Sequence, residues 1–234
     1  MAQPELGRIV RLIAEATSAQ PSDRELLERH VRQGDHDAFA ALVQRHGPMV
    51  WGVCRRILGE AHDAEDAFQA TFVVLARKAS SIRWGESIRG WLHRVAVQTA
   101  LAARRRRRVR ERHEQAAARA EHRPAAEPTW SEVCQILDEE LAKLPPPCRD
   151  AVLLCCLEGK SRDEVATTLS WTPNAVKKRL ERGRELLRRA LQRRGYVLSS
   201  VMLAAMLAEH APAQAAAVPV LLAGATARTV VAAN

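Results

Sequence analysis

Apolar residues recur at three- and four-residue intervals through most of this 234-residue chain, and nowhere do they alternate every second position as in a half-buried strand. The pattern predicts an all-α protein. Between residues 22 and 111, Ala38, Phe39, Leu42 and Val43 form one stripe. Val50, Val53, Cys54, Ile57 and Leu58 form a second, and Phe68, Phe72, Leu75 and Ala79 a third. Breaks are expected at Gly34, at Gly47-Pro48, at Gly59 and over residues 80–85. Three or four helices sharing one core make a first small domain. It ends in an unbroken run of Arg104, Arg105, Arg106, Arg107 and Arg108, after which the apolar period fades. Residues 112–128, closed by Pro124 and Pro128, read as a basic flexible linker.

A second small helical domain is expected over residues 129–194. Val133, Ile136, Leu137 and Leu141 pattern a helix over 131–144, Pro145 to Pro147 break it, and residues 149–157 resume it. Ser161 then stands three residues before Glu164, the spacing at which hydroxyl and carboxylate cap each other's backbone. Val165, Ala166 and Leu169 give that helix its buried face. A turn at Ser170 and Trp171 leads to Thr172 as the next N-cap, with Pro173 at the first helical position, where a missing N–H costs nothing. On the helix that follows, Val176, Leu180, Gly183 and Leu187 face inward. Asn174, Lys178, Glu181 and Arg182 face outward, with Lys177 at the margin.

Two capped helices joined by a tight turn form a helix-turn-helix, and the outer face of the second has the side chains that read DNA. An amide suits adenine, a carboxylate suits cytosine, and basic groups suit guanine or phosphate. A solvated amphipathic helix would carry a similar outer face; the capped helix before it favours DNA. The formal charge of +9 also points to a polyanionic partner, because the basic residues are clustered rather than spread. Five cysteines without framework spacing suit a reducing cytoplasm, with Cys155 and Cys156 read as core thiols rather than zinc ligands. No metal or other cofactor is expected. Residues 5–17 pattern as a short amphipathic segment within an N-terminal extension, 1–21, that lacks the features of a secretory signal. The Ala-rich apolar extension 195–234 contains Pro212 and Pro219, and its uncharged run falls short of a membrane span, so docking on the second domain or on a regulator is expected.

Three motifs in order resemble the extracytoplasmic-function (ECF) branch of bacterial RNA polymerase sigma factors. The first is His62-Asp63-Ala64-Glu65-Asp66-Ala67-Phe68-Gln69-Ala70-Thr71-Phe72, similar to the helix that docks on the clamp helices of the polymerase beta-prime subunit. The second is Trp91-Leu92-His93-Arg94-Val95-Ala96 running into the arginines, similar to the helix that faces the minus-ten promoter element. The third runs from Leu144-Pro145 through Leu157-Glu158-Gly159 into the helix-turn-helix, similar to the domain that reads the minus-thirty-five element.

The resemblance implies a sigma region 2-like domain over 22–111, a region 4-like domain over 129–194, and a non-enzymatic role in promoter recognition, DNA melting and initiation. It implies core polymerase (beta-prime clamp helices and beta subunit) and promoter DNA as partners. An anti-sigma factor or other regulator is a further candidate, and no small-molecule substrate is expected. The implied core-polymerase residues are Glu65, Asp66, Gln69 and Val73. The implied minus-ten residues are Ser81, Arg83, Trp84, Gln98 and the five arginines 104–108. Thr172, Asn174, Lys177, Lys178, Glu181 and Arg182 are implied for minus thirty-five. Trp84 is open between a plane that stacks on a base and a hydrophobic plug. Asp63, Glu65 and Asp66 also suit a helix N-terminus electrostatically. Gln98, Ala102, Ala70 and Ser170 depart from the residues frequent in the family, so the promoter sequence is not carried over. A polymerase-independent helix-turn-helix regulator is the alternative reading, and a metal-dependent nucleic-acid enzyme using the acidic cluster at Asp63 and Asp66 is a remote one.

Overall fold

A computed structural model describes residues 21–81, 87–115 and 130–196 and the single position 226. The regular structure among them is entirely helical. The first domain holds α1 (Asp23–Gln33), α2 (His36–Leu58), α3 (Ala61–Lys78) and α4 (Arg89–Gln115). α1 opens with a capping box, the Ser22 hydroxyl accepting from the Glu25 amide at 3.2 Å and the Glu25 carboxylate accepting from the Ser22 amide at 2.7 Å. It stops at Gly34, whose φ of +64° suits a residue without a β-carbon.

α2 continues through Gly47-Pro48, where a break was expected. Proline's φ is already helical, so the ring costs one backbone hydrogen bond and a local clash rather than the helix. Apolar faces on both sides of Pro48, from Phe39 to Val43 and from Val50 to Ile57, are buried in one core and hold it continuous. The core centres on Phe39, Phe68 and Phe72, all fully buried, with Phe68 also meeting Trp51 edge-on.

Below this core Asp23 makes a polar knot. Its carboxylate accepts from Arg45 at 2.7 Å, from His46 Nε2 at 2.9 Å and from the Ile88 amide at 3.0 Å. One side chain thereby ties α1 to α2 and to the residue that leads into α4. Burial drives the carboxyl toward its neutral form, but His46, the Ile88 amide and Arg45 outweigh that and hold its pKa well below the usual value. Burial also pushes fully enclosed His46 toward neutrality, so its ring meets Asp23 chiefly as an N–H donor.

In the second domain, α5 (Trp130–Lys143) is followed by α6 (Pro146–Val152), a π-helical turn (Leu153–Leu157), α7 (Arg162–Leu169) and α8 (Pro173–Arg193). The helix after the prolines resumes at Pro146, earlier than the expected Arg149, because prolines in a first turn forfeit only N–H groups that have no intrahelical partner. Leu137, Leu141, Val152, Leu153, Leu187 and Leu191 form its core. Gly183 lets α8 approach α6: a β-carbon there would lie 2.8 Å from Val152 Cγ2 and 3.1 Å from the Cys148 carbonyl.

α4 also departs from expectation. It carries the arginine run inside a helix to Gln115, past the point where the linker was expected to begin. Arginine, glutamate and glutamine are good helix formers even where no apolar stripe marks the turn. The N-terminal amphipathic segment and almost all of the apolar extension lie outside the described residues.

Candidate polymerase and promoter surfaces

α3 starts at Glu60, whose carboxylate accepts from the amides of His62 and Asp63 at 3.1 and 3.0 Å. Capping therefore falls to Glu60, and the acidic residues after it are left to face outward. With Ala64, Ala67, Phe68, Phe72 and Leu75 turned into the core, Asp66 is exposed. Glu65, Gln69 and Val73 are half-buried around it, and Val73 rests on the core edge. The four residues give a polar ridge with one apolar step. His62, Asp63 and Asp66 assemble no metal site; no group of three or more potential ligands occurs among the described residues.

Ser81 is exposed, and its hydroxyl donates to the Lys78 carbonyl at 3.1 Å. Arg83 and Trp84 lie outside the described residues. On α4, Gln98 is exposed and lines a crevice with Arg94, Val97, Leu101, Glu139, Ala142, Lys143 and Leu144. The arginines of the run are not equivalent. Arg104 donates to Gln135 at 2.6 Å and Arg107 pairs with Asp63 at 3.1 Å. Arg105 and Arg106 lean on the Leu101 and Ala102 carbonyls, and Arg108 is exposed.

The helix-turn-helix follows local rules closely. Ser161 and Glu164 form the second capping box, and Thr172 caps α8 by accepting from the Ala175 amide at 3.2 Å. Between the helices Ser170 takes φ +54° and ψ +43°, while the Trp171 amide reaches back to the Ala166 carbonyl at 2.8 Å, a Schellman-type stop. Ser170→Gly is expected to stabilise the second domain by about 0.5–1 kcal/mol. The left-handed backbone costs serine about 1–2 kcal/mol, and glycine's larger unfolded entropy offsets part of the gain. A higher urea midpoint at an unchanged m-value is the readout.

On α8, Asn174, Lys177, Lys178, Glu181 and Arg182 are exposed, and none makes a hydrogen bond or ion pair among the described residues. Four basic residues further along, Arg184, Arg188, Arg189 and Arg194, are occupied. Arg188 and Arg189 hold Glu185, whose carboxyl they pull down to about 2, Arg194 pairs with Glu139 and Glu140, and Arg184 meets Cys156. The uncommitted side chains are thus gathered on the amino-terminal half of α8, where a reading helix meets base edges. Arg179, which spacing did not single out, lies 3.8 Å over the Trp171 ring. That stack pins the turn to α8; only the proximity of an aromatic in the turn to a basic residue two turns into the helix would have signalled it.

Residues 42–110 match the family described as Sigma-70 region 2, and residues 134–187 match Sigma-70, region 4. The chain is 32% identical over 178 residues to "ECF RNA polymerase sigma factor SigE" of Mycolicibacterium smegmatis, a match covering 73% of this chain and 68% of that protein. The chain belongs to the ECF sigma factor family. It is also 32% identical to "ECF RNA polymerase sigma factor SigM" of Mycobacterium tuberculosis, covering 77% of this chain and 88% of that protein. A further relative at 32%, "ECF RNA polymerase sigma-E factor" of Haemophilus influenzae, gives 74% and 97%. The region 2 match takes in α3 and most of α4, and the region 4 match takes in α7 and α8 as far as Leu187. No helix of the described residues is long and apolar enough to cross a membrane.

Proposed function

We propose that this sigma factor docks on core RNA polymerase through the α3 ridge of Glu65, Asp66, Gln69 and Val73, and reads an upstream promoter element with the amino-terminal half of α8. The observation that carries the α8 assignment is the set of exposed, unengaged side chains at Asn174, Lys177, Lys178, Glu181 and Arg182, beside Arg184, Arg188, Arg189 and Arg194, which are held by partners. Thr172 caps the same helix, which leaves its hydroxyl hydrogen to donate to a phosphate. α4 faces the downstream element with Gln98 and the exposed arginines, whose phosphate contacts set register rather than sequence. Ser81, Arg83 and Trp84 belong to the loop beside it. The chain itself makes and breaks no covalent bond; bond chemistry belongs to the polymerase.

The test is transcription reconstituted with core polymerase on a promoter selected from a randomised library. The holoenzyme is expected to initiate at a single start site, and failure to bind core or to initiate overturns the reading. Within that assay Lys178→Ala is expected to weaken recognition of the upstream element by about 1–3 kcal/mol, the worth of one good base contact, with core binding intact. Parallel loss of core affinity would remove Lys178 from the promoter surface. Tight, sequence-specific duplex binding without core would favour the polymerase-independent regulator instead.

A further inference from the structure

α8 carries two carboxylates among its basic residues, and their surroundings differ. Glu185 is held by Arg188 at 2.9 Å and by Arg189 at 2.6 Å. Glu181 is exposed and makes no hydrogen bond or ion pair among the described residues. Lys177, Lys178 and Arg184 all stand three or four residues from it, the spacing at which helical side chains meet. Both lysines precede the glutamate, the weaker order for a helical ion pair. Arg184 is drawn instead to Cys156, with Nη2 3.3 Å from Sγ. The carboxylate is therefore bare. Projected at about 100° per residue, it lies about 20° from Asn174, with Lys177 on one side and Lys178 on the other. That is the midline of the outward face.

A bare carboxylate has the wrong charge for a phosphate, so on a helix that meets DNA it can be satisfied only by a base. In the major groove guanine shows N7 and O6 and thymine shows O4, all acceptors that repel it. The amino donors are cytosine N4 and adenine N6. Adenine N6 is hemmed between its own N7 and the O4 of its paired thymine, so the second carboxylate oxygen meets a lone pair. Cytosine N4 has an acceptor, guanine O6, on one side only. One base edge of the four matches Glu181.

We propose that Glu181 sets cytosine at one position of the upstream element, and that it does so as much by repelling the other bases as by binding that one. The inference rests on the promoter-reading role proposed above for α8. Lys177 and Lys178 draw the helix to phosphates whatever the sequence. The carboxylate between them opposes that approach unless an amino group stands opposite it. Replacing the carboxylate by the isosteric amide changes the reading in a definite direction, because glutamine pairs bidentately with adenine N6 and N7.

The experiment is a selection from a duplex library randomised across the upstream element. Holoenzyme is reconstituted from core polymerase with full-length wild type, Glu181→Gln or Glu181→Ala. Wild type is expected to fix cytosine at one position. In Glu181→Gln that position turns to adenine, and in Glu181→Ala it accepts any base, with the remaining positions unchanged in both. On two promoters that differ only there, changing cytosine to adenine is expected to weaken wild-type binding at least about fivefold and to strengthen Glu181→Gln binding by a similar factor. Glu181 is exposed and unpaired, so the fold is not at risk in either variant, and unchanged affinity for core polymerase verifies it. If all three proteins select the same base at every position, or if the position that responds to residue 181 is not cytosine in wild type, the assignment is overturned while the promoter-reading role of α8 stands. A wild-type holoenzyme that selects no upstream sequence overturns both.

Discussion

Asp23→Ala is expected to cost the first domain about 3–5 kcal/mol, the usual penalty for breaking a buried charge cluster by removing one partner. The His46 ring and the Ile88 amide would lose their acceptor in one step and Arg45 its counter-charge, keeping only the Pro21 carbonyl, and the Ile88 bond sets where the chain turns into α4. Acid denaturation distinguishes this from a simple packing loss. The Asp23 carboxyl titrates below its unfolded value of 3.8, so its contribution is complete above about pH 4 and is lost as pH falls toward the folded pKa. His46 and His93, depressed below 6.5 by burial, add an earlier loss that begins as pH drops past 6.5. Wild type should therefore lose stability in two stages on acidification. The variant should keep the first in part and lack the second. Stability measured by urea titration at pH 7.5, 5 and 3.5 checks this, and an unchanged acid stage in Asp23→Ala would refute the assignment.

Phe68→Ala should be comparably severe, at about 3–5 kcal/mol, because a fully buried ring leaves a cavity that helices fixed on three sides cannot close. Phe68 touches both Phe72 and Trp51, and it is seated on the same helix as Glu65, Asp66 and Gln69. The denaturant midpoint of the first domain is expected to fall sharply. At temperatures where the variant stays folded, affinity for core polymerase should be nearly unchanged, since the ring itself faces inward. A large affinity loss in the folded variant would mean that the ridge of α3 depends on the exact seating of the ring beneath it.

These elements differ in how far the sequence foretold them. Both ends of the helix-turn-helix were legible, because Ser161 with Glu164 and Thr172 with Pro173 act over three residues or fewer, and their hydrogen bonds form as the spacing required. The outward set on α8 followed from angular projection alone. Local punctuation misled where tertiary burial overrode it: Gly47-Pro48 reads as a break, yet apolar faces on both sides carry the helix across. The prolines before α6 fit a first turn as readily as a gap. Asp138 carried no signal at all, since its partners His93 and Arg56 are 45 and 82 residues away, and a carboxylate beside an apolar helical stripe looks like ordinary surface. Ser170 was visible only as an absent glycine. Whether the backbone there was left-handed depended on the Schellman contact of Trp171 with Ala166.

The helical course of the arginine run alters what five adjacent positive charges can do. Successive residues on a helix point about 100° apart, so Arg104 to Arg108 encircle α4 rather than form a comb. Arg104 faces α5 and Arg107 faces Asp63. Arg105 and Arg108, about 60° apart, are the two that can lie together against one strand. Each phosphate neutralised on a duplex releases close to one condensed counterion, about 0.9 per contact. With the promoter contacts proposed for α4, a run that would displace four or five counterions if extended is expected to displace about two when wound into this helix. The proposed grip on the downstream element is then expected to be less sensitive to ionic strength than the composition suggests.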